Sequence, residues 1–111
     1  MKAKFFFASM LIACAALMVN AQGYKDGIDF YKIGKLDDAQ ELLERNLNNA
    51  GTDKAEAYYY LGQIALHNGD KTTANSYFDK GIQANAAYAF NYIGKGTISL
   101  ENKNIKEAEN F

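Results

Sequence analysis

Residues of the same kind recur in this chain at intervals of 34 or 35 positions. Glycines, alanines and bulky apolar residues all repeat in a single register, which isolated matches would not produce. A repeat of this length holds one helical hairpin, which cannot bury its apolar face alone and therefore stacks on its neighbours. The aligned columns are Gly27, Gly62 and Gly96; Ala39, Ala74 and Ala108; and Leu43 with Phe78.

The second repeat carries the clearest helix signals. Asp53 and Glu56 have the spacing of a capping box, which predicts a helix start. Gly69 suits the left-handed turn that ends a helix, and Asp70 can cap the helix that follows. Apolar residues at helical spacing predict a buried face on each helix, with Tyr58, Leu61, Gly62 and Ala65 on the first and Ala74, Tyr77, Phe78, Gly81 and Ile82 on the second.

The other two repeats follow the same plan. The first is expected to turn at Gly34, and the third is expected to turn at residues 102–104 and to begin a second helix at Ile105. The chain ends inside that last helix. The predicted fold class is all-α, with helical-hairpin repeats over residues 22–54, 55–88 and 89–111, the third being a truncated repeat.

The first 21 residues have the pattern of a signal peptide. Lys2 and Lys4 form a basic start, residues 5–19 are almost entirely apolar, and Ala21 is the small residue that a signal peptidase reads. An apolar run of 15 residues is short of the roughly 20 needed to span a bilayer as a helix. We therefore expect cleavage after Ala21 and export to the periplasm or cell envelope of a bacterial cell.

Cys14 leaves a second interpretation open. Residues 11–14 fit the signal of a bacterial lipoprotein, in which the cysteine is acylated and tethers the protein to a membrane. The apolar run continues past Cys14, however, and this favours ordinary secretory cleavage. A membrane contact is expected only if Cys14 is lipidated.

Composition excludes several classes of partner and site. Residues 22–111 contain ten basic and thirteen acidic side chains and no basic cluster, so nucleic acid is not an expected partner. These residues contain no cysteine for a disulfide and no proline. The one histidine, His67, has no metal-ligand spacing around it, and Asp37 with Asp38 fits a helix start. We expect no enzyme activity, no cofactor and no metal.

The second repeat resembles the tetratricopeptide repeat. The resemblance rests on an aromatic residue followed by Leu-Gly and then by Ala and Phe at the family's spacing. Gly23 and Asp26 stand where the first repeat should have the aromatic residue and the leucine, and Lys95 replaces the leucine of the third. The residues expected to hold the hairpins together are Gly27, Ala39, Leu43, Tyr58, Leu61, Gly62, Ala74, Phe78, Tyr92, Gly96 and Ala108.

The resemblance implies a right-handed α-solenoid of two full repeats and part of a third, with a concave face that binds peptides or partner helices. Family members that grip a C-terminal carboxylate use basic and amide side chains at places occupied here by Tyr24 and Ile28, Tyr59 and Gln63, and Ile93 and Thr97. The groove is thus expected to be neutral and aromatic. The candidate contacts for an apolar peptide or amphipathic helix are Tyr24, Tyr59, Gln63, Leu66, Phe90 and Thr97.

Two alternatives stay open. Aromatic residues at helical spacing also pack on neighbouring helices, which would leave them no role in binding. The sequence is also compatible with the N-terminal repeats of a larger envelope protein that has a structural or oligomerisation role or a further domain beyond residue 111. Self-association through the uncapped C-terminal end belongs to this second alternative.

Overall fold

The computed structural model describes residues 22–109. Across these residues the secondary structure is five helices without a strand, which confirms the predicted all-α class of helical hairpins. The predicted signal peptide and Cys14 lie outside the described residues. The helices are α1 (22–32), α2 (Leu36–Asn46), α3 (Lys54–His67), α4 (Lys71–Ala84) and α5 (Phe90–Glu109).

The chain divides between Asp53 and Lys54 into two compact units. In unit 1, α1 and α2 form a hairpin whose turn passes through Gly34 at a φ of +82°. A glycine reaches this left-handed conformation without the steric cost that other residues incur. The two helices approach closely at Gly27, which has no side chain. A Cβ there would lie only 2.9 Å from Cγ of the fully buried Leu43.

Gly23 departs from the family pattern because Asn46 fills the space that an aromatic side chain would need. Any Cβ on Gly23 would collide with the carboxamide of Asn46. Asn46 as a whole is 9% exposed, and its carboxamide donates to the carbonyl of Leu42 at 2.7 Å and accepts from Nδ2 of Asn49 at 2.6 Å. A hydrogen-bonded amide therefore takes the place of a packed ring in unit 1.

In unit 2 three helices meet at one aromatic ring. Phe78 of α4 is fully buried. A Cβ on either Gly62 of α3 or Gly94 of α5 would clash with atoms of this ring, so both helices contact it through their backbones. A buried hydrogen bond also joins α5 to α3, since Nδ2 of Asn91 donates to the carbonyl of Ala55 at 3.0 Å. Gly62 and Phe78, which the sequence places on the buried faces of α3 and α4, meet here, and Gly94 of α5 contacts the same ring.

Asp70 caps α4, as the sequence predicts. Its carboxylate accepts the Thr73 hydroxyl at 2.6 Å and the Thr73 amide at 3.0 Å. The hydrogen bond from the Thr73 hydroxyl has the larger effect and that from the Thr73 amide the smaller, and together they hold the pKa of Asp70 below its ordinary value. Because the pKa is lower in the folded than in the unfolded chain, the cap stabilises the fold above the unfolded-state pKa. This contribution is lost as the pH falls through the folded-state value.

The expected turn at residues 102–104 is wrong, because α5 continues as one helix to Glu109. The two observed hairpin turns use glycines with positive φ, Gly34 at +82° and Gly69 at +77°. Residues 102–104 contain no glycine. Asn, Lys and Asn continue the helical hydrogen bonding without strain, so the backbone does not reverse there.

The third repeat consequently has no second helix beside its first among the described residues. Tyr92, Gly96 and Ala108, which were expected to hold a hairpin together, are exposed, and a Cβ on Gly96 would have no atom within 4 Å. In residues 22–109, no helix combines the length and apolar character that crossing a membrane requires.

Gly62→Ala is expected to lower the free energy of unfolding by about 1–3 kcal/mol, the usual cost of overpacking, because the added methyl group meets the buried Phe78 ring. Gly96→Ala is the matched control. It lies on a helix in open space and should raise stability by about 0.5–1 kcal/mol. Urea unfolding followed by circular dichroism measures both. Equal effects from the two substitutions would contradict the assigned α3–α4 contact.

Candidate functional site: an aromatic surface on unit 2

Four aromatic side chains form a connected group on unit 2, here called the aromatic surface: Tyr59, Tyr60, Tyr88 and Phe90. Ring centroids are 5.5 Å apart for Tyr59 and Phe90, 5.5 Å for Tyr88 and Phe90, and 6.2 Å for Tyr59 and Tyr88. The interplanar angles of 48° to 70° are the tilted and edge-to-face arrangements that aromatic pairs favour. The rings therefore hold one another in place.

Helix geometry explains how α3 supplies two of these rings. Three consecutive tyrosines on a helix point in directions about 100° apart. Tyr58 packs on Tyr77 of α4 with centroids 6.2 Å apart, whereas Tyr59 contacts Tyr60 at 5.2 Å and the buried Phe78 at 6.2 Å. Tyr59 thus links the core ring to the surface rings.

The segment between α4 and α5 supplies Tyr88. Asn85 ends α4, and its side-chain oxygen accepts the amide of Ala87 at 3.0 Å while its carbonyl accepts the amide of Tyr88 at 3.2 Å. This turn places the ring of Tyr88 against that of Phe90, the first residue of α5. The aromatic surface is consequently built from a helix, a turn and the start of another helix.

The structure brings together two of the predicted groove residues, Tyr59 and Phe90. Tyr59 is half-buried, and Phe90 is 51% exposed. Leu66 is partly buried against the core cluster that contains Phe78, as is Tyr59 itself. The expectation that these aromatic residues also pack on neighbouring helices therefore holds for Tyr59.

The remaining predicted groove residues differ in exposure. Tyr24 lies in unit 1 and is only 5% exposed, so the expectation that it offers its ring to a partner is wrong. Gln63 is half-buried. Thr97 is exposed, and its hydroxyl donates to the carbonyl of Ile93 at 3.0 Å. This bond is the usual one for a threonine inside a helix and leaves the oxygen able to accept.

Sequence reasoning missed Tyr88 and Tyr60. Tyr88 lies outside a helix, so helical spacing could not assign it to a face. The signal available was its position two residues before Phe90 in a segment rich in aromatic residues. Tyr60 adjoins Tyr59 in sequence, and only the observed ring contact shows that it shares the same surface.

The aromatic surface consists of uncharged side chains. Elsewhere on unit 2, Nζ of Lys80 lies 5.6 Å from the centroid of the Tyr77 ring, and Asp79 of α4 pairs with Lys95 of α5. Residues 22–109 contain no group of three potential metal ligands. The surface is therefore suited to contact with apolar groups.

A family model for the tetratricopeptide repeat matches residues 24–91, more than half of the chain. This chain belongs to the tetratricopeptide repeat family. The match runs from α1 to the start of α5 and includes both complete hairpins and the segment that carries Tyr88. Neither a search of curated proteins nor a search of solved structures gave a match.

Membership in the tetratricopeptide repeat family makes this chain a scaffold for protein–protein interaction. Tetratricopeptide repeats are typically interaction modules rather than catalysts, and they commonly bind protein partners. The aromatic surface is one part of unit 2 that offers large, partly exposed side chains, and its rings are in mutual contact.

Proposed function

We propose that this protein is an exported scaffold that binds an apolar peptide or an amphipathic helix on the aromatic surface. The observation that carries the proposal is the Tyr59–Phe90 pair, a half-exposed ring held 5.5 Å from a ring that is itself packed on the core. Large aromatic anchors dominate the binding energy of protein interfaces. A surface whose rotamers are already restrained loses less entropy when a partner binds.

The chemistry of the partner follows from the lack of charge. Phe90 offers purely apolar area, and Tyr59 and Tyr88 combine an apolar ring with a hydroxyl group. A partner with one apolar edge and one backbone or amide edge would satisfy both kinds of group. Since the rings are uncharged, attraction between opposite charges contributes little, and binding should depend only weakly on salt.

Phe90→Ala is expected to weaken binding about tenfold, because it removes the most exposed ring of the surface. The assay uses peptides selected from a random display library against the purified protein, with affinity measured by fluorescence anisotropy. Tyr59 is a poorer probe, since its removal also disturbs packing on Phe78.

The matched control is Tyr92→Ala. Tyr92 lies on the same helix and is 50% exposed, close to the 51% of Phe90. It takes part in none of the observed ring contacts of the aromatic surface. It should leave affinity and melting temperature unchanged. Peptides that bind Phe90→Ala as tightly as the unmodified protein would refute the aromatic surface as the binding site.

Export is supported by the sequence of the first 21 residues and is tested by the intact mass of the protein from its own cells. Cleavage after Ala21 predicts a mass that begins at Gln22. A mass that matches a protein beginning at Cys14 and carrying two or three acyl groups would support the lipoprotein alternative. A mass larger than that of residues 22–111 with no acyl group would support a larger envelope protein. A mass that retains Met1 would refute export by cleavage.

A second candidate function, self-association through α5, is favoured by the open face around Gly96. Leu100 lies one turn further along that face and is 63% exposed. Leu100→Glu should shift sedimentation from dimer to monomer by placing a charge in the contact. Ile105→Glu is the control, because Ile105 lies nine residues from Gly96, on the opposite side of the helix. A monomeric unmodified protein would rule out this candidate.

A further inference from the structure

Unit 1 contains an open cleft between α1 and α2 with a volume of about 300 Å³. Phe30, Ile33 and Leu42 give it apolar walls, and Asp26 and Asp29 add two carboxylates. Ile33 is 68% exposed, whereas Phe30 and Leu42 are half-buried. The cleft thus combines apolar area with negative charge, in contrast to the uncharged aromatic surface of unit 2.

The two carboxylates have no cationic partner in the described part of the chain. Asp26 accepts a hydrogen bond from Nε2 of Gln22 at 2.9 Å, and Asp29 takes part in no observed ion pair. They stand three residues apart on α1 and therefore lie on the same side of the helix. Nearby, Nζ of Lys35 lies 5.7 Å from the centroid of the Phe30 ring. A wall of the cleft thus already attracts one ammonium group.

The repeat register shows what kind of element occupies this side of a first helix elsewhere in the fold. Asp26 aligns with Lys95 of α5, and Asp29 aligns with Ile98. Ile98 is 7% exposed in the cluster that contains Phe78 of α4. Lys95 forms an ion pair with Asp79 of α4. In unit 2, therefore, a helix packs at this register with one apolar contact and one pair of opposite charges.

On α1 the charge at this register has the opposite sign. A helix that packs there as α4 packs on α5 needs a basic residue where α4 has Asp79. Asp29 replaces an apolar contact with a second carboxylate, so a further basic residue about one turn away along the packing helix would be paired as well. The cleft walls would receive the apolar side chains of that helix.

We propose that this cleft is a second docking site, which binds an amphipathic helix of a partner protein with lysine or arginine residues beside an apolar stripe. Ion pairs with Asp26 and Asp29 fix the orientation of that helix, and contact with Phe30, Ile33 and Leu42 supplies apolar burial. The site belongs to unit 1 and shares no residue with the aromatic surface.

The test uses a synthetic helical peptide of leucine and lysine, with all leucines on one face, and a matched leucine and glutamate peptide. Isothermal titration calorimetry with the whole protein should detect binding of the lysine peptide only. The double variant Asp26→Asn with Asp29→Asn should weaken that binding about tenfold, as expected for the loss of two partly exposed ion pairs. Ile33→Ala should weaken it as well, and this residue is too exposed to be needed for folding.

The control removes the same charge elsewhere in unit 1. Asp37→Asn with Asp38→Asn alters two exposed carboxylates at the start of α2 and should change the affinity less than twofold. Equal losses from both double variants would show attraction to net charge alone and would overturn the proposal. Loss of binding in Phe90→Ala would also overturn it, by assigning the peptide to the aromatic surface.

Two further outcomes are informative. A dimer in sedimentation that Ile33→Ala converts to monomer, and that the lysine peptide does not dissociate, would replace the partner helix by self-association at the cleft and overturn the proposal. Loss of lysine-peptide binding in the Asp26 and Asp29 variant, with affinity for library-selected peptides retained, would establish the cleft as a separate site. The two binding proposals can therefore fail independently.

Discussion

The contact on which unit 2 depends is the ring of Phe78 held between the backbones of two other helices. Gly62 of α3 and Gly94 of α5 both face this ring without a side chain, so neither helix could come so close if either residue carried a Cβ. Close-packed interiors accommodate little change of volume. The hydrogen bond from Asn91 to Ala55 and the packing of Ile98 both depend on this close approach of α5 to Phe78.

The aromatic surface is held in place by its contact with Phe78. Tyr59 rests on Phe78 and in turn supports Phe90, so the exposed rings continue the core outward rather than standing alone on the surface. Contacts that reach the core therefore restrain the exposed rings. Tyr59 contributes both to core packing and to the aromatic surface, whereas Phe90 contributes mainly to the exposed part.

Departures from the family pattern have physical causes in each unit. The carboxamide of Asn46 takes the space beside Gly23, and Lys95 exchanges an apolar contact for an ion pair with Asp79. Asp26 brings charge into a cleft that has apolar walls. The two units therefore offer surfaces of different chemistry, one aromatic and neutral, the other apolar and acidic.

The sequence alone determined the all-α class, the repeat register, the Asp70 cap and the buried faces that carry Gly62 and Phe78, because each depends on spacing along one helix or one hairpin. Only the tertiary structure decided the burial of Tyr24, the place of Tyr88 and the existence of the acidic cleft. These features depend on contacts between residues whose separation follows no helical period. The structure also decided the course of α5, which continues as one helix through residues 102–104 to Glu109 where the sequence predicts a turn.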